Sequence, residues 1–202
     1  MPFIEHNGIR VLFVHISKAG GTTVEQWMRS IAPVHLYCDG IPQFTKCTPQ
    51  HYRLRDVREL FRDGYFDYTF ALVRNPYDRI ASEYRMRAAL AQETFFGTFP
   101  SFSMWLEESL QAQRHDPFYL DNHIRPQWEF LGSDVGIFRL EHGIAPALAQ
   151  VAARLGVAAP EQMPITLSTT EKGIEVKWDH SDRIAVQEHY QRDFTEFGYP
   201  VD

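Results

Sequence analysis

The stretch Phe13–Thr23, FVHISKAGGTT, decides how this chain is interpreted. Its apolar beginning is typical of a buried strand, the pair Gly20-Gly21 of a tight turn, and the residues after it of a helix start. This order points backbone N–H groups and the positive end of the helix dipole at one place. Lys18 stands at the same place, so the stretch predicts a site for a phosphate-like anion.

The order of residues in this loop differs from the common nucleotide loops. An ATP or GTP loop reads G-x-x-x-x-G-K-[ST], with its lysine after the glycines, whereas Lys18 precedes Gly20 and Gly21. The Rossmann pattern G-x-G-x-x-G is absent as well. We therefore expect a nucleotide phosphate other than the γ-phosphate of ATP; the alternative is an ordinary turn with a solvated lysine.

Composition sets the class of protein. The 202 residues are 44% hydrophobic, enough for the one domain we predict over residues 1–202. The net charge of −6 argues against a general nucleic-acid binder, so an anion site must be local. Cys38 and Cys47 are expected to be free thiols, with a disulfide as the alternative. Their spacing does not fit a metal site, and no metal is predicted.

Targeting signals are not visible in the sequence. The first residues lack a basic segment followed by an apolar one, and the apolar runs are too short to span a membrane. The expectation is a soluble, cytoplasmic enzyme with no membrane span.

Hydrophobic patterning predicts an α/β fold. Strands are expected at 9–16, 68–73 and 135–140, and helices at 22–31, 51–62, 77–91, 103–113, 145–155 and 185–197. This alternation is typical of a P-loop-like parallel sheet flanked by helices. Such sheets bind ligands beyond the carboxyl ends of their strands, where Lys18 and Arg74 are both expected.

A second group of candidate residues follows the strand at 68–73, in the segment 73–84, VRNPYDRIASEY. Arg74 is at the strand end, and Ser82 follows eight positions later, about two helical turns on. A guanidinium is a planar fork that suits phosphate, and a serine hydroxyl can donate beside it. A structural salt bridge for Arg74 and a small helix-face role for Ser82 are the alternatives.

Together the two segments resemble the donor-binding segments of sulfotransferases, which carry VR[DN]P-x-x-R followed by a serine and an aromatic residue. The similarity is greatest to the branch of carbohydrate sulfotransferases that includes heparan sulfate 2-O-sulfotransferase and small bacterial relatives. FRLE at 138–141 and YQRDFTEFGY at 190–199 resemble further family segments. The resemblance implies a sulfotransferase fold and transfer of a sulfuryl group from 3′-phosphoadenosine 5′-phosphosulfate (PAPS) to a hydroxyl or amine of a carbohydrate or small molecule. The product is then 3′-phosphoadenosine 5′-phosphate (PAP).

The resemblance also implies roles for individual residues. The 3′-phosphate is assigned to Arg74 and Ser82, and Lys172-Gly173 is expected to close over the nucleotide, with a solvated turn as the alternative. The 5′-phosphosulfate is assigned to Lys18, Ala19, Gly20, Gly21, Thr22 and Thr23. Ser17 and Ala19 stand where many members have proline and threonine, which matters little where the backbone cradles the ligand.

Sulfuryl transfer needs positioning, charge stabilisation and a base for the acceptor hydroxyl. Lys18 is expected to neutralise charge on the leaving phosphate. By resemblance the base is His51, 23 residues before Arg74. His35 is the second candidate, His123 the third and Glu25 a weaker one, whereas His15 is expected in the core. The resemblance places His123, Arg125 and Gln127 in an acceptor cleft.

Two other classes remain open. A P-loop kinase or NTPase predicts a Walker A loop and an aspartate at a strand end, whereas this loop differs and the strand ends at Arg74. A catalytically inactive nucleotide-binding module predicts no base near the sulfate position. The sequence does not indicate which acceptor is used or which oligomer forms.

Overall fold

The computed structural model describes residues 1–94, 99–160 and 173–201, and places a four-stranded sheet at their centre. The strands are β1 Phe3–His6, β2 Ile9–Val14, β3 Tyr68–Val73 and β4 Gly136–Arg139, and their order in the sheet is the order in the chain. β2, β3 and β4 are parallel, and β1 pairs antiparallel to β2. The predicted α/β class is therefore confirmed.

The register brings two strand ends together. Val14 pairs with Ala71, and Val73 pairs with Arg139. The loops that leave β2 and β3 therefore begin side by side at one edge of the sheet. β2 and β3 are nearly continuous apolar runs because helices cover both faces of a parallel sheet.

Seven helices surround the sheet within the described residues, joined by short 3₁₀ turns at Pro49–His51, Tyr119–Asn122, Gln127–Phe130 and Leu140–His142. The helices are α1 Gly21–Ile31, α2 Leu54–Arg58, α3 Pro76–Thr94, α4 Phe102–His115, α5 Ala145–Leu155, α6 His180–His189 and α7 Gln191–Phe197. Their apolar faces and the strands form a shared hydrophobic core. None of the helices in the described ranges is long and apolar enough to cross a membrane.

Three elements differ from the prediction. An unpredicted strand, β1, forms a hairpin through Asn7 and Gly8, whose φ angles of 53° and 76° suit a tight hairpin turn. The helix predicted at 185–197 is two helices, because Tyr190 departs from helical geometry (φ −108°, ψ 21°). The helix predicted at 51–62 is shortened to Leu54–Arg58 and leaves His51 in a 3₁₀ turn. Both cysteines are free thiols, as expected.

Candidate active site

The loop between β2 and α1 contains polar groups that lack hydrogen-bond partners among the described residues. Gly20 is the N-cap residue of α1 (φ 88°), and no side chain among the described residues caps the helix. Ser17 is 2% exposed, and its Oγ has no hydrogen-bond partner in the part of the chain that the structure describes. Lys18 adopts a φ of 66°, a left-handed conformation that is uncommon outside glycine. An uncapped helix N-terminus with a buried, unpaired hydroxyl beside it is receptive to an anion.

Gly21 is required for steric reasons. A Cβ built there would lie 1.9 Å from Nε2 of His15. The imidazole of His15 therefore packs directly against the backbone at the start of α1. Because no larger residue fits without moving this ring, the second glycine of the loop is fixed by the histidine beneath it.

The side chain of Arg74 contacts the backbone of Lys18. Nη1 of Arg74 donates to the backbone oxygen of Lys18 over 3.2 Å. Burial lowers the pKa of Lys18 and outweighs the opposing effect of Glu83. Burial likewise lowers the pKa of Arg74, which stays charged at neutral pH. Two cations therefore sit in a partly desolvated place, where they would act strongly on a bound anion.

Gln127 holds the backbone of Arg74 from both sides. Its Oε1 accepts from the Arg74 N–H at 2.9 Å, and its Nε2 donates to the Arg74 carbonyl at 2.8 Å. Asp193 accepts in turn from the backbone N–H groups of Gln127 and Trp128, both at 2.9 Å. The side chain of Gln127, expected in an acceptor cleft, is fully buried and positions Arg74 instead.

The start of α3 fixes the segment after Arg74. Oδ1 of Asn75 accepts from the N–H of Tyr77 at 2.9 Å, so Asn75 caps the N-terminus of α3. Glu141 accepts from the Asn75 N–H at 2.7 Å and from the Tyr199 hydroxyl at 3.0 Å. Ser82 lies buried further along α3. The two segments at 138–141 and 190–199 thus brace this strand end.

Arg79 connects the loop to a second part of the site. It is 2% exposed and donates to the carbonyls of Ser17 (3.1 Å), His123 (2.6 Å) and Arg125 (2.9 Å). The loop after β2 is therefore tied to the segment that carries His123.

Three imidazoles form a row beside the loop. The ring centroids of His15 and His51 are 5.1 Å apart, and those of His51 and His123 are 4.6 Å apart, in edge-to-face contact. The three side chains keep 10–16% of their surface exposed, so each is nearly buried but not sealed from solvent. We call His15, His51 and His123 the imidazole row.

A carboxylate orients each member of the row. Nδ1 of each ring lies within hydrogen-bond distance of one carboxylate group, and Nδ1 of His123 reaches both oxygens of its partner. The pairs are His15–Glu25 (2.6 Å), His51–Asp121 (2.7 Å) and His123–Glu83 (2.9 Å). Such a contact fixes the tautomer with the proton on Nδ1 and leaves Nε2 as the basic nitrogen.

Burial determines the charge of the central pair. It lowers the pKa of His51 despite the opposing hydrogen bond to Asp121. Burial alone would raise the pKa of Asp121, but its hydrogen bonds to His51 and Thr48 lower it. Thr48 donates to the same carboxylate from its backbone N–H (2.6 Å) and its hydroxyl (2.8 Å). A neutral imidazole beside an ionised carboxylate is the arrangement of a general base and its orienting group.

Glu83 is the most strongly perturbed carboxylate of the row. Burial would raise its pKa, but the charge and hydrogen bond of His123, together with Arg87, lower the pKa to about 2. Arg87 donates to Glu83 over 2.8 Å. His123 therefore faces a carboxylate that stays ionised, and Arg87 compensates its charge.

Ligand atoms of His51, Asp121 and His123 lie within 4.8 Å of one another, a spacing that a metal ion could use. The bonds of each Nδ1 to its own carboxylate instead fit acid–base chemistry.

The other predicted site residues lie outside the loop after β2 and the imidazole row. His35 pairs through its backbone with Phe3 on the edge strand β1 and stacks on that ring at 4.8 Å. Arg125 is 2% exposed and donates to Asn122, Glu129 and Pro117, so it is held within the protein. Lys172 lies outside the described residues, and Gly173 is in a loop with a φ of 68°.

Sequence reasoning missed the carboxylates Asp121 and Glu83 and treated His15 as a core residue. Glu83 lies in the segment 73–84, and Asp121 is two positions before His123. Their closeness in sequence to residues already chosen as candidates could have indicated both carboxylates.

Comparison with known families gives one result. The model of the Sulfotransferase family matches residues 3–200, nearly the whole chain. Neither the curated proteins nor the solved structures contain a significant match.

Proposed function

The chain belongs to the sulfotransferase family, and from that premise we propose that it transfers a sulfuryl group from PAPS to a hydroxyl or amine of a carbohydrate or small-molecule acceptor and releases PAP. The observation that carries the proposal is the contact between Lys18 and Arg74 at one sheet edge. This bond ties the loop that carries the Lys18 ammonium group to the Arg74 guanidinium, and two cations on tied segments suit a ligand with phosphates at both its 5′ and 3′ positions.

The residues present fit this donor. The uncapped start of α1 and the unpaired Oγ of Ser17 would receive the 5′-phosphosulfate, with Lys18 beside them. Arg74 and Ser82 would hold the 3′-phosphate. PAPS supplies an electrophilic sulfur whose bond to the 5′-phosphate oxygen breaks during transfer.

His51 is the proposed general base. Its Nε2 takes the proton of the acceptor hydroxyl as the acceptor oxygen bonds to sulfur, and the electron pair of the broken S–O bond stays on the 5′-phosphate. Asp121 stabilises the imidazolium that forms, and Lys18 neutralises the charge on the leaving oxygen. His15 links the proposed base to the donor loop, because it contacts both His51 and the backbone at Gly21.

Ligand-induced stabilisation tests the donor. PAP at about 100 times its Kd should add about 2.7 kcal/mol to the free energy of unfolding, whereas ATP should add much less. The stabilisation should disappear in Lys18→Ala and Arg74→Ala. Strong stabilisation by ATP and none by PAP would favour an NTPase. Transfer of label from ³⁵S-PAPS across a panel of sugars and small hydroxylated molecules then identifies the acceptor.

A further inference from the structure

An arginine-lined cleft lies outside the loop and the imidazole row. Its volume is about 410 Å³, and its lining includes Arg53, Arg55, Arg114, Arg125, Phe118 and Glu129. Four arginines and the Glu129 carboxylate line it, although the whole chain carries a net charge of −6. Asp56 pairs with Arg53 and Glu129 pairs with Arg125, so the exposed cations of the cleft are Arg55 and Arg114. We call this feature the arginine cleft.

Two of its arginines are buried and rigidly held. Arg53 is 7% exposed and binds Asp56 through Nε (2.8 Å) and Nη2 (2.7 Å). Arg125 is 2% exposed and donates from Nε to Asn122 at 2.8 Å, from Nη1 to Glu129 and from Nη2 to the Pro117 carbonyl at 2.6 Å. Their guanidinium carbons lie 5.5 and 5.1 Å from the centre of the Phe118 ring. Buried, preorganised cations of this kind lose little entropy when they bind an anion.

Donors remain available in the cleft. Nη1 of Arg53 has no hydrogen-bond partner among the described residues. Arg55 is 70% exposed, and its nearest carboxylate, Asp56, is 4.0 Å away. Arg114 is exposed at the end of α4. Exposed and buried guanidinium groups that converge on one concave surface favour an oxyanion.

The cleft is coupled to the imidazole row through one side chain. Nδ2 of Asn122 donates to the carbonyl of His51 at 2.9 Å, and its Oδ1 accepts from Nε of Arg125 at 2.8 Å. Arg53 and Arg125 also follow His51 and His123 by two positions each. Asn122 therefore connects the lining of the cleft to the backbone of His51 by two hydrogen bonds.

We infer that the arginine cleft is a second oxyanion-binding site, distinct from the loop after β2, and that it takes a carboxylate, sulfate or phosphate group of an organic molecule. The hydrogen-bonded link from Arg125 through Asn122 to His51 leads us to assign that group to the acceptor, a step that rests on the proposed function. The acceptor is then acidic, with its charged group anchored away from the hydroxyl that reacts.

Arginine Nε–Hε correlation spectra test the site without turnover. Inorganic sulfate and D-glucuronate should move the Arg53 and Arg125 signals saturably at constant ionic strength, and D-glucose should not. The double variant R55A/R114A should weaken the binding of both anions by about tenfold. R154A/R192A, which removes the same charge elsewhere, should bind like the wild type. Absence of saturable shifts, or equal binding in the two double variants, overturns the site. If the cleft binds sulfate but not glucuronate, the assignment of the cleft to an organic acid is overturned.

Two further measurements separate this inference from the donor proposal. The cleft signals should respond equally in Lys18→Ala, because that loop is a different site; loss of the response there overturns the claim that they are distinct. For an acidic acceptor found with labelled PAPS, R55A/R114A should raise KM about tenfold with kcat retained. An unchanged KM overturns the acceptor assignment. If the protein binds sulfate in the cleft but does not bind PAP, the donor proposal is overturned and the proposed oxyanion site stands.

Discussion

His51 is the proposed general base. Replacement of His51 by alanine removes the proposed base but none of the groups assigned to the donor. Turnover should fall about 10²- to 10⁴-fold while PAP affinity is retained. Steady-state rates with labelled PAPS and calorimetric titration with PAP measure the two quantities. His35→Ala is the matched control, since His35 is exposed on the β1 edge. Full turnover in His51→Ala would eliminate this base.

Glu83 links the site to stability at acid pH. Its folded-state pKa of about 2 lies below the ordinary value of 4.5, so its ionised form stabilises the fold above pH 4.5. The contribution, about 3 kcal/mol, is lost as pH falls from 4.5 towards 2. Glu83→Gln should therefore be destabilised at pH 7, with a gap to the wild type that narrows below pH 4.5.

Urea unfolding at pH 7, 4 and 3 measures this gap. Glu107→Gln, at an exposed position of α4, should show almost none at any pH. A gap for Glu83→Gln that is independent of pH would mean that packing, not charge, makes Glu83 important.

The beginning of α1 depends on a glycine at position 21. In Gly21→Ala the new methyl group would collide with His15, since the built Cβ lies 1.9 Å from Nε2. We expect a loss of about 1–3 kcal/mol in the free energy of unfolding and weaker PAP binding. Gly40→Ala is the control, because no described residue other than its chain neighbours has a heavy atom within 4 Å of its built Cβ.

A double-mutant cycle with His15→Ala isolates the cause. The cost of Gly21→Ala should shrink when the imidazole is absent. An equal cost with and without the ring would place the strain elsewhere in the loop.

Across the whole molecule, one chain of contacts runs from the last helix to the loop. Asp193 holds Gln127, Gln127 holds Arg74, and Arg74 binds the Lys18 carbonyl. Gln127→Ala should cost about 1–3 kcal/mol of stability and, by loosening Arg74, lower PAP affinity about tenfold.

Denaturant unfolding and PAP titration should be compared with Gln150→Ala. Gln150 bonds to Tyr68 at the other end of the sheet, so its loss should leave PAP affinity unchanged. Unaltered PAP affinity in Gln127→Ala would show that Arg74 keeps its position without this brace.

Local pattern was sufficient for much of the fold. Tyr68–Val73 and Ala145–Leu155 have the predicted bounds because each is a continuous periodic segment with a clear stop. β1 was missed although Asn7-Gly8 is a hairpin signal. The break at Tyr190 was missed; there the hydroxyl of Tyr190 donates to the Ile124 carbonyl at 2.7 Å, a tertiary contact that the local pattern does not indicate.

The candidate site could be predicted only in part. Lys18 and Arg74 are in contact because strand ends of a parallel sheet meet at one edge, which the sequence indicates. The pairing of His51 with Asp121 joins positions 70 residues apart and depends on how the chain returns between α4 and β4. Nothing in the local sequence of Gln127 distinguishes a brace from a ligand-binding residue. Its role follows from its burial.

The left-handed backbone of Lys18 implies a trade-off between stability and activity. A non-glycine residue at a φ of 66° stores about 1 kcal/mol or more of conformational strain. Lys18→Gly would therefore relieve strain that Lys18→Ala keeps, although both remove the cation. The chain retains a less stable residue at this turn, as expected where selection acts on turnover and tolerates a modest loss of folding free energy.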